Sequence, residues 1–188
     1  MVEQQRYRVI DKRGDAELRA YEPCVVADVV VTGDAEGAAS AAFRPLFNYI
    51  SGANATSNAL AMTAPVLQEG VGERLAMTAP VTQEDSGQGS WVVSFVLPGE
   101  RSLQDYPVPV DPQVTLRAVP EHVAAALRWS GRWTTGNIER RTAELRTLMD
   151  EAGWHGGGKP RWARFDPPWT PPFLRRNEIV IPTGMPGS

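Results

Sequence analysis

A stretch of sixteen residues recurs, altered, at a constant offset of 98: LRAYEPCVVADVVVTG (Leu18 to Gly33) and LRAVPEHVAAALRWSG (Leu116 to Gly131) agree at six of sixteen positions. Each copy reads as two extended runs, and each is followed by a segment of helical period. After the first copy, Asp34 can cap a helix ending near Gly52, with Ala39, Phe43, Leu46, Phe47 and Ile50 at helical spacing. Pro45 inside it predicts a kink or a late start. After the second copy, Thr135 or Asn137 starts a helix carrying Ile138, Leu145, Leu148, Met149 and Ala152, stopped by Gly153. The repeat therefore predicts two similar α+β units whose sheets complete one another around a shared core.

The remaining segments fit that frame. Tyr7 to Tyr21 reads as a hairpin turning at Lys12 to Asp15, and Leu60 to Pro98 is extended, broken by EGVGER and DSGQG. Further strands are expected at Gln113 to Val119, Val123 to Ser130, RWARF and RRNEIVIP. No linker divides the chain, so residues 1–188 read as a single domain with a short unstructured tail at 183–188. A second, shorter repeat has a period of 15: LAMTAPVLQE (Leu60 to Glu69) and LAMTAPVTQE (Leu75 to Glu84) differ at one position in ten. Two such strands would pair as a hairpin with Met62 and Met77 at equivalent positions. Pro65 and Pro80 each remove a ladder donor, which places these strands at an edge or beside a bulge.

Composition narrows the function. A net charge of −3 lacks the basic footprint of nucleic-acid binding, so no nucleic-acid partner is expected. No apolar run of about 18 residues occurs, so no membrane span is expected either. The start MVEQQRYRV lacks a secretory pattern and the lone Cys24 closes no internal disulfide, which makes the cytoplasm the expected location. Two histidines and one cysteine are scant material for a protein-built metal cage.

Among motifs, GWHGGGKP (Gly153 to Pro160) imitates a phosphate-binding loop. It ends in Pro160 where a hydroxyl is required, and it joins helix to strand, the reverse of the necessary order. His155 with three following glycines resembles an esterase oxyanion loop, yet no G-x-S-x-G elbow exists. His122, His155 and Cys24 remain the candidate iron or metal ligands, each with a plain structural alternative: strand histidine, helix-end cation and small apolar side chain. No nucleophile-and-base spacing stands out, so binding is expected more than catalysis. Aromatic residues offer a better lead. All six tryptophans lie beyond residue 90, and Phe43, Phe47, Met62 and Met77 suit a pocket for a flat apolar ligand.

The motifs ELRAYEP, GDAEGAASAAFRPLFNYISGAN, both copies of AMTAPV, FVLP, the P-x-P-x-D of Pro107 to Asp111, and FDPPWTPPFLRRNEIVIP occur in order along nearly the whole chain. Together they resemble the SOUL family of haem-binding proteins, in its form with a duplicated AMTAPV. The resemblance implies an α+β fold: a distorted, β-barrel-like antiparallel sheet with two helices and a pseudo-two-fold duplication of a β-α-β-β-type unit. It also implies noncovalent binding of haem or free porphyrins in an apolar groove beside the first helix. Carried over by residue, that groove would use Leu46, Phe47 and Asn48, with Met62 nearby. Where some members place histidine or lysine, this chain has Ala20, Asn48 and Thr170, so propionate pairing would fall to Arg44, Arg175 or Arg176.

The leading expectation is thus a carrier or buffer for a small-molecule tetrapyrrole, gripping the ring more than the iron. Two alternatives stand beside it. One is an effector-binding module similar to those of bacterial regulators, with a cleft for apolar cations between its halves. The other is a haem-dependent enzyme. Protein partners and oligomeric state are not indicated by the sequence.

Overall fold

The computed structural model describes residues 5–55, 72–76, 81–99, 101–166 and 170–184, the side chains of residues 35 and 36 excepted. The hairpin reading of the AMTAPV repeat, with Met62, Met77, Pro65 and Pro80, lies outside these residues, as does Trp169.

Strands β1 (Tyr7–Arg13) and β2 (Ala16–Tyr21) form the expected hairpin, turning at Gly14 with φ of +55°. Strand β3 (Cys24–Thr32) leads into α1 (Ala35–Ile50), and β4 (Asn54–Ala55) follows. Strands β5 (Val81–Gly87) and β6 (Ser90–Val96) turn through Gln88 and Gly89, with φ of +55° and +70°. Positive φ at both loop residues matches the twist of the flanking strands. Then come β7 (Val108–Pro109), β8 (Val114–Val119), β9 (His122–Ser130), α2 (Thr135–Ala152), β10 (Arg161–Arg164) and β11 (Arg176–Thr183). Two residues of the tail expected at 183–188 are held: Thr183 pairs with Val123, and the Gly184 N–H donates to the His155 carbonyl at 2.9 Å.

Nine strands form one curled antiparallel half-barrel in the order β1-β2-β9-β11-β10-β5-β6-β3-β8. The order is nearly palindromic. The series β8-β3-β6-β5 from one end corresponds to β2-β9-β11-β10 from the other, and β5 meets β10 at the centre. The two consecutive strands of each repeat do not pair with one another; each pairs across into the other half. Register follows the offset of 98: Leu18 faces Ala125, and Leu116 faces Ala27. The duplication is thus a property of the fold, and neither half completes its sheet alone.

Both helices lie on one face of this sheet. Val25, Ala27 and Val29 of β3 point to α1, and Val123, Ala125, Leu127 and Trp129 of β9 point to α2. Both cores meet near β5 and β10, where Trp91 packs against each of them. Even-numbered neighbours such as Cys24, Val26, Ala124 and Ala126 take the opposite, concave face. Burial on both faces explains why β3 and β9 read as nearly continuous apolar runs.

The Asp34 carboxylate caps α1 by accepting from the Gly37 N–H at 2.6 Å. Its buried face is Ala38, Ala42, Leu46, Tyr49 and Ile50, rotated from the expected one. Tyr49 decides the rotation, because its hydroxyl is buried and donates to the Pro107 carbonyl at 2.9 Å, while Ala38 and Ala42 allow the helix close to the sheet. Phe43 and Phe47 are consequently left at the surface, 44% and 39% exposed. Pro45 neither delays nor ends the helix. The carbonyl it leaves without a donor belongs to Ala41, an exposed residue that water reaches.

Helix α2 starts at its cap Thr134, whose hydroxyl accepts from the Asn137 N–H, and stops at Gly153 in the left-handed region at φ +67°. Ile138, Leu145 and Met149 are buried as expected, and Leu148 and Ala152 flank them. Thr142 joins that face, its hydroxyl accepting from the Trp162 indole at 3.3 Å.

Candidate functional site

Two surfaces carry chemistry, one beside α1 and one on the concave face. On α1, Phe43 and Phe47 stack at 5.7 Å with planes 14° apart, and Phe43 meets Phe95 edge-on at 5.8 Å. The pair forms a flat, exposed apolar surface anchored to the sheet through Phe95. Arg44 and Asn48 stand exposed on the same turns, and the Arg44 guanidinium has no ion-pair partner among the described residues. The other expected groups are not gathered here. Leu46 is fully buried and supports the helix from beneath, so it presents no surface to a ligand.

Arg175 and Arg176 stand at the start of β11, separated by β10 from the strands under α1. The Arg175 side chain donates to the Thr170 carbonyl at 2.7 Å. Arg176 grips Asp166 with its guanidinium, with an N–O distance of 2.8 Å, and with its own backbone N–H. That grip holds the Asp166 carboxyl below the usual carboxylate range.

The metal-ligand candidates are also dispersed. Cys24 and His122 occupy equivalent positions of the two repeats and both take the concave face, away from α1. Burial pushes the Cys24 thiol up, which suits a small apolar side chain better than a thiolate ligand. His155 is exposed beyond the end of α2. Among the described residues, no group of three His, Cys, Asp or Glu side chains is placed to hold a metal ion. The tryptophan lead also changes meaning, since Trp129, Trp133, Trp154 and Trp162 are buried in the core under α2.

The concave face, where the effector-module alternative expects a cleft between the halves, holds a cavity of about 40 Å³ lined by residues of both halves. One wall is an ion network. Arg19, 1% exposed, donates to Glu178 at 2.7 Å, pairs with Glu17 at 2.9 Å and bonds the Tyr21 hydroxyl at 3.0 Å. Burial pulls the Arg19 pKa down, but Tyr21 and Glu178 outweigh it and leave the guanidinium more firmly charged than usual. Arg128 reaches the same Glu178 oxygen at 2.8 Å, and Arg19 also lies over the Tyr7 ring, 4.2 Å from its centre. Burial, with Glu178 beside it, pushes Tyr21 up to about 12.

The LRA triplet shared by the two repeats was the signal for this wall, since it puts Arg19 and Arg117 at equivalent places. Across the cavity Arg117 bonds one oxygen of buried Asp28 at 2.7 Å, and the other Asp28 oxygen has no hydrogen-bond partner among the described residues.

His122 lies at the edge of this network, stacked on Tyr21 at 5.1 Å. Its Nδ1 meets the Pro120 carbonyl at 3.0 Å and its Nε2 lies 3.3 Å from Arg161 Nη2. The two contacts together require a neutral ring that donates from Nδ1 and accepts at Nε2. Burial lowers its pKa, and Arg161 adds to the effect.

These features define a duplicated α+β half-barrel that offers an aromatic helix face on one side and a charged cleft on the other. Residues 2–182 match the SOUL family, described as SOUL heme-binding protein, and the chain belongs to that family. No curated protein matches it significantly. Among solved structures it is similar to the EcmrR C-terminal domain, with 13% identity, a TM-score of 0.63, and coverage of 95% of this chain and 98% of that one. It is similar also to a hydrolase from Listeria innocua, with 14% identity, a TM-score of 0.60, and coverage of 93% and 94%. An uncharacterized conserved protein from the same organism has 14% identity, a TM-score of 0.62 and the same coverage. Likeness at these identities concerns the fold. No described helix is long and apolar enough to cross a membrane.

Proposed function

We propose that the exposed face of α1 binds haem or a related tetrapyrrole noncovalently, and that the protein serves as a carrier or buffer for it. The observation that carries the reading is the stacked, half-exposed Phe43–Phe47 pair beside Arg44, a cation with no ion-pair partner among the described residues. An apolar macrocycle gains by covering such a pair, and a guanidinium at its rim suits a propionate. Asn48 adds a neutral polar group on the next turn. Bound haem would bring a redox-active iron to this face, while the described residues there supply apolar area and one cation. Both Cys24 and His122 face the other side of the sheet, so ring contact outweighs iron ligation. The concave cavity, at about 40 Å³, is too small to seat a macrocycle.

Haemin titrated into the purified protein should give a saturable Soret shift at micromolar protein, and iron-free protoporphyrin should bind comparably. Phe47→Asp should weaken both about tenfold or more, a loss of at least about 1.4 kcal/mol. His122→Ala and His155→Ala should leave both unchanged. A Soret band that does not saturate would overturn the reading, and a larger effect from either histidine would show that ligation dominates.

The cleft for apolar cations is less well supported. Its most buried carboxylate, Glu178, is already held by two guanidiniums.

A further inference from the structure

We infer that the concave cavity is a second, separate binding site, for a small zwitterion of the α-amino acid type with an apolar side chain. Five charged side chains line it: Arg117, Arg128, Arg161, Glu84 and Glu178. Arg117 pairs with Asp28, and Arg128 shares Glu178 with Arg19. That leaves one guanidinium and one carboxylate, Arg161 and Glu84, outside any ion pair among the described residues. They are direct cross-strand partners at the β5–β10 seam where the two halves meet. Opposite residues on one face of such a pair have their Cβ atoms about 5 Å apart, well within reach of an ion pair.

The two groups nevertheless stay apart, because Arg161 is turned toward the neutral ring of His122, 3.3 Å from its Nε2. His122 is therefore a positioning residue, held in turn by the Pro120 carbonyl and the Tyr21 ring. The half-buried pair leaves a donor fork and an acceptor side by side, each with bonding capacity to spare. A bare anion would meet Glu84 and a bare cation would meet Arg161, each at a cost in a partly desolvated site. A molecule carrying both charges satisfies both, its carboxylate on Arg161 and its ammonium on Glu84. Val92, Val96 and Val180 supply an apolar wall for its side chain. The cavity's size favours a small ligand, no larger than a single amino acid.

Three probes with one apolar body separate the charges: valine carries both, isovalerate only the carboxylate and isobutylamine only the ammonium. Each is titrated to millimolar excess into the ¹⁵N-labelled protein, and amide shifts are followed. Valine should give saturable shifts confined to β5, β10 and β11, with either single-charge probe binding at least about tenfold more weakly. Arg161→Gln should reduce valine binding to the level of isobutylamine, and Glu84→Gln to that of isovalerate. The Phe47→Asp protein should bind valine unchanged, so failure at one face is distinguishable from failure at the other. Equal binding of either single-charge probe, or valine shifts that do not saturate, would overturn the proposal. Glu84→Gln keeps the shape of the side chain and Arg161→Gln keeps a shorter, neutral polar one, and the undisturbed amide spectrum reports that each variant is folded.

Discussion

Arg19 Nη1 donates to Glu178 Oε2 across 2.7 Å, joining β2 of the first half to β11 of the second. Arg19 is 1% exposed, so the bond lies inside the molecule and the charge has no water to fall back on. Removing one partner of a buried pair costs about 3 kcal/mol or more.

Glu178→Ala should therefore lower Tm by about 6–12 °C, the equivalent of 3 kcal/mol for a domain of this size. Asp166→Asn, at the more exposed pair with Arg176, should cost under about 1 kcal/mol. Thermal melts of the two variants check the contrast, and equal losses would contradict the assignment of Arg19 as the buried cation.

Leu46 and Phe47 are neighbours in sequence with opposite roles. Leu46→Ala should cost about 2–5 kcal/mol by opening a cavity under α1, whereas Phe47→Ala should cost under about 1.5 kcal/mol, since it sits half in solvent. Urea unfolding measures both. A Phe47 variant as damaged as the Leu46 variant would mean that the stacked pair belongs to the core, not to a ligand face.

Acid should loosen the second half. The folded pKa of His122 is lowered, chiefly by burial, so the unfolded chain takes up the proton first as pH falls. The stability that the neutral ring contributes is present above its ordinary value of about 6.5 and is lost as pH falls through the folded value. Urea midpoints should decline from about pH 7 to about pH 5, and His122→Gln should flatten part of that slope. An identical slope in the variant would exclude His122 as its source.

Gln88 is the one described non-glycine residue with positive φ, at +55° in the β5–β6 turn. Left-handed backbone costs a side-chain-bearing residue about 1–2 kcal/mol, against about 0.5–1 kcal/mol for the greater freedom glycine loses on folding. Gln88→Gly should thus stabilise the protein by about 0.5 kcal/mol, raising Tm by about 1–2 °C. A lower Tm would show that the turn is held by its side chain.

Much of the architecture was legible because it rests on local patterns. Turn residues at Gly14 and Gly89, caps at Asp34 and Gly153, and the apolar runs of β3 and β9 are short-range signals. The offset of 98 carried further, since it predicted which strands are equivalent. The site was less legible. Helical spacing allowed either Phe43 and Phe47 or Ala42 and Tyr49 to face the sheet, and a single buried hydroxyl on Pro107 selected the second. Arg161 and Glu84 lie 77 positions apart, and no local pattern links them.

The sequence by itself determined the elements, their duplication and the family to which they belong, because propensity, period and motif are properties of neighbours along the chain. Only the tertiary structure decided that Leu46 is core while Phe47 is surface, that His122 holds an arginine, and that one guanidinium and one carboxylate, outside any ion pair among the described residues, are cross-strand neighbours at the seam. Those outcomes depend on which strands exchange between the halves, and exchange is a contest of long-range contacts that no short window of sequence records.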